Sequence, residues 1–230
     1  MGTENVQDRK HYVLVHGAGH GAWCWYKVKP MIESSGHLVT VIDLAASGIN
    51  LKKIEDVNTI SEYSEPLLEL MAAIPPNEKV ILVGHSLGGF NIALAMERFP
   101  EKIAVAVFLT AFAPDVQHKP SYVMEKYLES IPTADWLDTE FSQSGNKTAI
   151  LFGPKFLSDR LYPRSSPEDL ELAESLVSGD VSIPLKFQLW MIQNAGINDV
   201  FEINGSDHMA MISKPQQLCD SLYQIATKYA

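Results

Sequence analysis

Short apolar runs alternate with longer amphipathic stretches over the first half of the chain. Tyr12-Val-Leu-Val15 is rich in β-branched residues and opens into the glycine-rich His16-Gly-Ala-Gly19, which predicts a buried strand ending in a turn. A helix is expected from about Trp25 to Ser34, closed by Gly36, and a strand at Val39 to Ile42. Ile60 to Ala73 predicts a helix with Leu67, Leu68, Leu70 and Met71 on its buried stripe, stopped by Pro75-Pro76. Val80 to Val83 predicts a third strand, Leu87 to Arg98 a helix that ends before Pro100, and Ile103 to Leu109 a fourth strand. Short apolar strands separated by helices require crossover connections, so the expected class is α/β, with a mainly parallel sheet covered by helices on both faces.

The periodicity changes after Asp115. Up to about Val177 the chain carries aromatic, proline-punctuated pieces, read as helical at Tyr122 to Ser130, Trp136 to Phe141 and, entered through Ser166, Pro167 to Val177. Residues 115–177 are therefore expected to form a helical lid insertion within one domain spanning 1–230, a length that a single core can still fill. Beyond it, Val200-Phe-Glu-Ile203 is expected to be the last strand. Ser213-Lys-Pro-Gln216 reads as a helix start, with a Gln three residues after the cap.

Composition narrows the function classes. With 46% hydrophobic and 20% charged residues the chain is neither disordered, collagenous nor a coiled coil. A net charge of -10, without a Lys/Arg cluster, argues against a nucleic-acid partner. Cys24 and Cys219 are too few for a disulfide framework and point to a reducing compartment. No apolar run approaches the ~18 residues of a membrane span, and the polar Met1-to-Lys10 stretch is unlike a signal peptide, so a cytoplasmic location is expected.

Gly84-His85-Ser86-Leu87-Gly88 stands directly between a predicted strand and a predicted helix, the context a nucleophile elbow requires. Ser86 is the expected nucleophile. Serine needs a base to take its proton, and His208 follows the last predicted strand at the same sheet edge. His11 and His37 read as surface residues, His118 as a loop residue, and His85 as a packed neighbour of the nucleophile. Asp207, beside the expected base, reads as a loop residue and not as its partner. The developing oxyanion needs amide donors, and the N–H groups of Leu87 and Ala18 fit, Ala18 lying in the loop after the first strand.

The chain resembles the plant methylesterase and hydroxynitrile lyase branch of the α/β-hydrolase superfamily. The likeness runs through His16-Gly-Ala-Gly-His-Gly-Ala-Trp23, Asp43-Leu-Ala-Ala-Ser-Gly48, Tyr63-Ser-Glu-Pro66, the elbow, Phe152-Gly-Pro-Lys-Phe156, Ser166-Pro-Glu-Asp-Leu-Glu-Leu-Ala173 and Asp207-His-Met-Ala-Met211, nearly the whole chain. The resemblance implies the α/β-hydrolase fold, Ser86 and His208 as nucleophile and base, and Asp180 as the triad acid. It also implies an apolar pocket onto which Phe112, Trp136, Phe141 and Met209 map. The implied activity is that of a serine carboxylesterase for small methyl esters such as methyl jasmonate, methyl salicylate or methyl indole-3-acetate. No cofactor and no metal are implied, the partner is a small-molecule ester, and a homodimer stays open. Lyases of this branch carry Thr and Lys where Gly17 and Met209 stand, and the other lyase type carries Asn where Ala18 stands, so hydroxynitrile lyase is the second reading.

One departure from the family pattern bears on activity. Relatives carry about thirty more residues before the Asp180 segment, enough for the strand that presents the acid and its crossover. Asp115, following the fourth strand at the correct edge, is the alternative acid. A shortened, catalytically impaired form that only binds ligand is therefore a third reading.

Overall fold

The computed structural model describes residues 9–144, 147–177 and 185–230. Its main sheet has four parallel strands, β1 (His11–Val15), β2 (Leu38–Ile42), β3 (Val80–His85) and β4 (Ile103–Leu109), in the order β2-β1-β3-β4. Side chains alternate across a strand, and the two faces divide accordingly. Tyr12, Leu14, Ile81 and Val83 join the cluster that includes Val28 and Ile32 of α1 (Val28–Ser34) and, from the C-terminal helix, Leu218 and Leu222. Val13, Val15, Val80 and Leu82 face the opposite cluster with Leu67, Met71 and Ile92. Both faces are thus covered, as the uninterrupted apolar runs require.

The stretch expected as one helix from Ile60 breaks into α2 (Ile60–Tyr63) and α3 (Glu65–Ala73). Pro66 cannot continue a preceding helix, and the buried Ser64 turns its hydroxyl back to the Ile60 carbonyl at 2.7 Å. Helix α4 (Gly88–Arg98) follows the elbow and α5 (Ser121–Ser130) follows β4. The piece expected as helical at Trp136 to Phe141 instead passes from a 3-10 turn at Thr133–Trp136 into β5 (Glu140–Ser144), which pairs antiparallel with β6 (Lys147–Leu151). Thr and aromatic residues suit a hairpin as well as a short helix, and the pairing partner decides. Next come α6 (Pro154–Phe156), α7 (Pro167–Leu176) and α8 (Leu185–Asn194). Ser166 caps α7 in a reciprocal box with Asp169.

Two further expectations are corrected. Val200 to Ile203 forms no strand, because a strand needs a hydrogen-bonding neighbour and, among the described residues, nothing pairs with the outer edge of β4. Consequently Ile103 to Phe108 stay partly exposed although all are apolar, whereas β3 is buried throughout. Ser213 does not cap the last helix, α10 (Pro215–Tyr229), which follows the short α9 (Ala210–Ser213). Its hydroxyl is engaged by Asp207 at 2.6 Å instead.

Candidate active site

Register places the C-terminal ends of the strands together: Val15 pairs with Gly84, and His85 with Leu109. The loops after β1, β3 and β4 therefore leave from one edge, where open α/β sheets place their sites.

Ser86 sits between β3 and α4 with φ 52 and no exposed surface. A left-handed backbone at a residue bearing a Cβ costs on the order of 1–3 kcal/mol, so its surroundings must hold it. They do so with three hydrogen bonds: the Ser86 N–H donates to the Leu109 carbonyl at 3.3 Å, and its carbonyl accepts from Gly89 at 3.1 Å and Phe112 at 3.0 Å. The elbow glycines answer to close approach. A Cβ on Gly84 would lie 2.8 Å from the Gly88 carbonyl oxygen, and one on Gly88 would lie 2.7 Å from that of His16. At Gly17 a Cβ would come within 2.8 Å of the Ser86 Cβ, so the loop after β1, expected to supply an oxyanion donor, lies directly against the expected nucleophile. Among the described residues neither the Ala18 nor the Leu87 amide donates to another protein group.

His208 reaches this cluster through His85. Their ring centroids are 4.7 Å apart, and the His85 Nε2 donates to the His208 carbonyl at 3.0 Å. The loop bearing His208 is further held by Asp207, which accepts from the Met209 amide at 3.0 Å, Ser213 at 2.6 Å, the Arg164 amide at 3.1 Å and Ser165 at 2.9 Å. Asp207 is thus a loop anchor, as its sequence position suggested. The His208 side chain is buried, and neither ring nitrogen has a hydrogen-bond partner among the described residues. Burial, with a smaller contribution from His20, pushes its pKa from 6.5 down to about 3.

That shift has a consequence for stability. The unfolded chain takes up a proton on His208 near pH 6.5, while the folded chain resists until about pH 3. The neutral ring therefore contributes no penalty above the upper value, and stability is lost as pH falls between the two. The melting temperature is expected to drop more steeply across this window in the parent than in His208→Gln. Identical pH profiles for the two proteins would contradict it.

Asp180 lies outside the described residues. Asp115, the alternative acid, is committed elsewhere. Its carboxylate accepts from the His118 ring at 2.9 Å, from the Gln117 and His118 amides at 2.7 and 2.8 Å, and from the Asn194 side chain of α8. These donors, the His118 ring foremost, hold it well below the usual carboxylate range. It makes no hydrogen bond to His208 in this arrangement.

Three of the four residues expected to line the apolar pocket share one buried cluster: Phe112, Trp136 and Met209. Phe112 meets Tyr127 edge-on at 5.1 Å, Tyr127 meets Trp136 at 6.2 Å, and Trp136 meets Phe141 at 5.0 Å. Phe141 stays at the rim, 47% exposed. Tyr127, the link in this series, escaped the sequence reading because its helical spacing looks like ordinary core. A cavity of about 400 Å³ lined by Gly19, Trp23, Ala46, Gly48, Ile49 and Leu176 opens beside the loop that follows β1.

Residues 12–221 match the alpha/beta hydrolase family. The chain is similar to salicylic acid-binding protein 2 of Nicotiana tabacum, 48% identical over 259 residues that cover 97% of this chain and all of that protein. It is similar as well to norfluorocurarine synthase 1 of Strychnos nux-vomica, 49% identical over 260 residues covering 97% and 98%. With methylesterase 1 of Arabidopsis thaliana it shares 46% identity over 256 residues covering 96% and 97%. Among solved structures, that of polyneuridine aldehyde esterase superposes with a TM-score of 0.90 at 42% identity, covering 95% of this chain and 99% of the other. An alignment of 259 positions against a chain of 230 leaves at least 29 positions of the tobacco protein with no counterpart here.

Proposed function

The chain belongs to the alpha/beta hydrolase family, and on that premise we propose that it is a serine carboxylesterase for small methyl esters. The observation that carries this reading is Ser86, held at φ 52 between a strand and a helix, beside Leu87 and Ala18 amides that donate to no other described group, with the buried His208 packed on the adjoining His85. In this mechanism the Ser86 Oγ attacks the ester carbonyl and His208 accepts its proton. The Ala18 and Leu87 amides bind the oxyanion, and methanol departs with the proton from His208. Water then attacks the acyl-enzyme by the same route, and the carboxylic acid leaves.

The names of methylesterase 1 and salicylic acid-binding protein 2 support a methyl ester and a salicylate-type acyl group, and the family resemblance extends the acyl class to jasmonate and indole-3-acetate. Residues 115–177 act as the lid within a single domain, and Phe112, Trp136, Phe141 and Met209 line the acyl pocket. Cys24 and Cys219 are buried thiols that form no disulfide among the described residues, which supports a cytoplasmic location. No helix among the described residues is long and apolar enough to cross a membrane. The apolar edge of β4, which no described strand pairs with, supports association with a second copy of the chain, read as a sedimentation coefficient that rises with concentration.

Cyanohydrin cleavage is disfavoured because Gly17 supplies no hydroxyl beside Ser86 and the buried Met209 supplies no cation. With a panel of methyl esters, acid release is expected for at least one aryl or alkyl ester, and mandelonitrile is expected to yield cyanide only at the spontaneous rate. Enzyme-dependent cyanide, lost in Ser86→Ala, would reverse the ranking.

A further inference from the structure

Two histidines clamp the peptide planes on either side of Ala18. A carbonyl oxygen only accepts, so a ring nitrogen that bonds it must carry the proton. The His16 Nδ1 lies 2.6 Å from the Gly17 oxygen, and the His20 Nδ1 lies 3.0 Å from the Ala18 oxygen. Both are therefore Nδ1–H donors. The second nitrogen of His16 accepts the Leu44 amide at 3.0 Å, which fixes the same tautomer from the loop after β2. In the neutral His20 ring the second nitrogen is likewise an acceptor, and it receives the Tyr162 hydroxyl at 2.6 Å.

Within one trans peptide the C=O and N–H point in opposite directions. Holding the Gly17 carbonyl therefore aims the Ala18 N–H the other way, and holding the Ala18 carbonyl fixes the next plane, so both dihedrals of Ala18 are set. One clamp is anchored on Leu44, in the loop that follows β2. The other ends on Tyr162, in the segment between α6 and α7, 142 residues from His20. His20 is 1% exposed and stacks on Trp23 at 5.3 Å, so its ring has little freedom to turn.

We propose that Tyr162 is a positioning residue, whose O–H holds His20 in the Nδ1–H tautomer and thereby aims the Ala18 amide at the oxyanion. This rests on the hydrolase reading above. Without the hydroxyl, His20 can carry its proton on the other nitrogen. The Nδ1 lone pair then opposes the Ala18 carbonyl, and the loop relaxes.

The test is a cycle of Tyr162→Phe and His20→Asn, the Asn amide being a donor near the Nδ1 position that has no tautomer to lose. Tyr162→Phe alone is expected to lower kcat about tenfold, a fraction of the ~10²- to 10³-fold cost of deleting an oxyanion donor, with KM within about twofold. In the His20→Asn background the same change is expected to cost nothing further. Nitrogen-15 NMR of the His20 ring supplies a readout independent of turnover: Nδ1–H in the parent, and a growing share of Nε2–H in Tyr162→Phe. An unchanged tautomer, or an equal kinetic cost in both backgrounds, would overturn the assignment. Absence of ester hydrolysis in the parent would sink the hydrolase reading, while the tautomer measurement still decides whether Tyr162 controls His20.

Discussion

Ser86→Ala is expected to abolish ester hydrolysis, with kcat falling at least about 10²-fold even from a slow parent and far more from a fast one. The fold should be untouched. Alanine keeps the Cβ, so the left-handed backbone at φ 52 is no more and no less strained, and the three hydrogen bonds that hold it involve only main-chain atoms. Ser86→Gly separates the two roles. It removes the nucleophile and also the Cβ that makes this conformation costly, so it is expected to be equally inactive yet more stable, by about 1 kcal/mol. Calorimetry beside a steady-state assay reads both effects. More than about a tenth of the parent rate in Ser86→Ala would exclude Ser86 as the nucleophile.

The second large effect concerns the stretch that relatives carry and this chain lacks. His208 is buried without a partner on either ring nitrogen among the described residues, and its pKa sits at about 3. Such a base is neutral at pH 7 but weak, and nothing yet described holds it in the tautomer that accepts the Ser86 proton. Loss of that tautomer control alone can lower turnover ~10⁴-fold. Grafting the relatives' intervening segment before Asp180 is therefore expected to raise kcat by orders of magnitude. It should also move the acidic limb of the pH–rate profile upward, because an opposed carboxylate favours the charged imidazole. A strand supplied to the edge of β4 that is unpaired among the described residues should raise the melting temperature and reduce association at the same time.

In the grafted protein Asp180→Asn should reverse the kinetic gain, whereas Asp115→Asn should leave kcat nearly unchanged. Asp115 serves His118, two amides and Asn194, and a change there loosens the junction of the β4 loop with α8. A large loss confined to Asp115→Asn would show that the acid has moved. Indifference to both changes would dismiss the triad for this chain.

The parts of the site that were legible from residues alone are those built from neighbours in the chain. Val80 to Val83 is mostly β-branched and wholly apolar, which suits a strand buried on both faces. The glycines around Ser86 stand where a Cβ would strike the Gly88 and His16 carbonyls. The cap at Ser166 closes within one helical turn, so it too is visible locally. The chemistry of the elbow and the strand–helix alternation thus follow from short-range sterics and burial.

What tertiary structure decided are the contacts between residues far apart in the chain. Val200 to Ile203 has the composition of a strand but no neighbour to complete its hydrogen bonds, and composition cannot supply one. Ser213 is a good capping residue, but its oxygen accepts the Asp207 amide at 3.3 Å while its O–H donates to the Asp207 carboxylate. Asp115 lies at the correct sheet edge, yet Asn194, 79 residues away, and the nearby His118 occupy its oxygens. His20 reads as one histidine among seven until Tyr162 arrives at 2.6 Å and gives its proton a fixed place. Local propensity and periodicity act over a few residues and so determined the elements and the elbow. Hydrogen-bond partners are settled by which groups folding brings within reach, and only the assembled structure determined those.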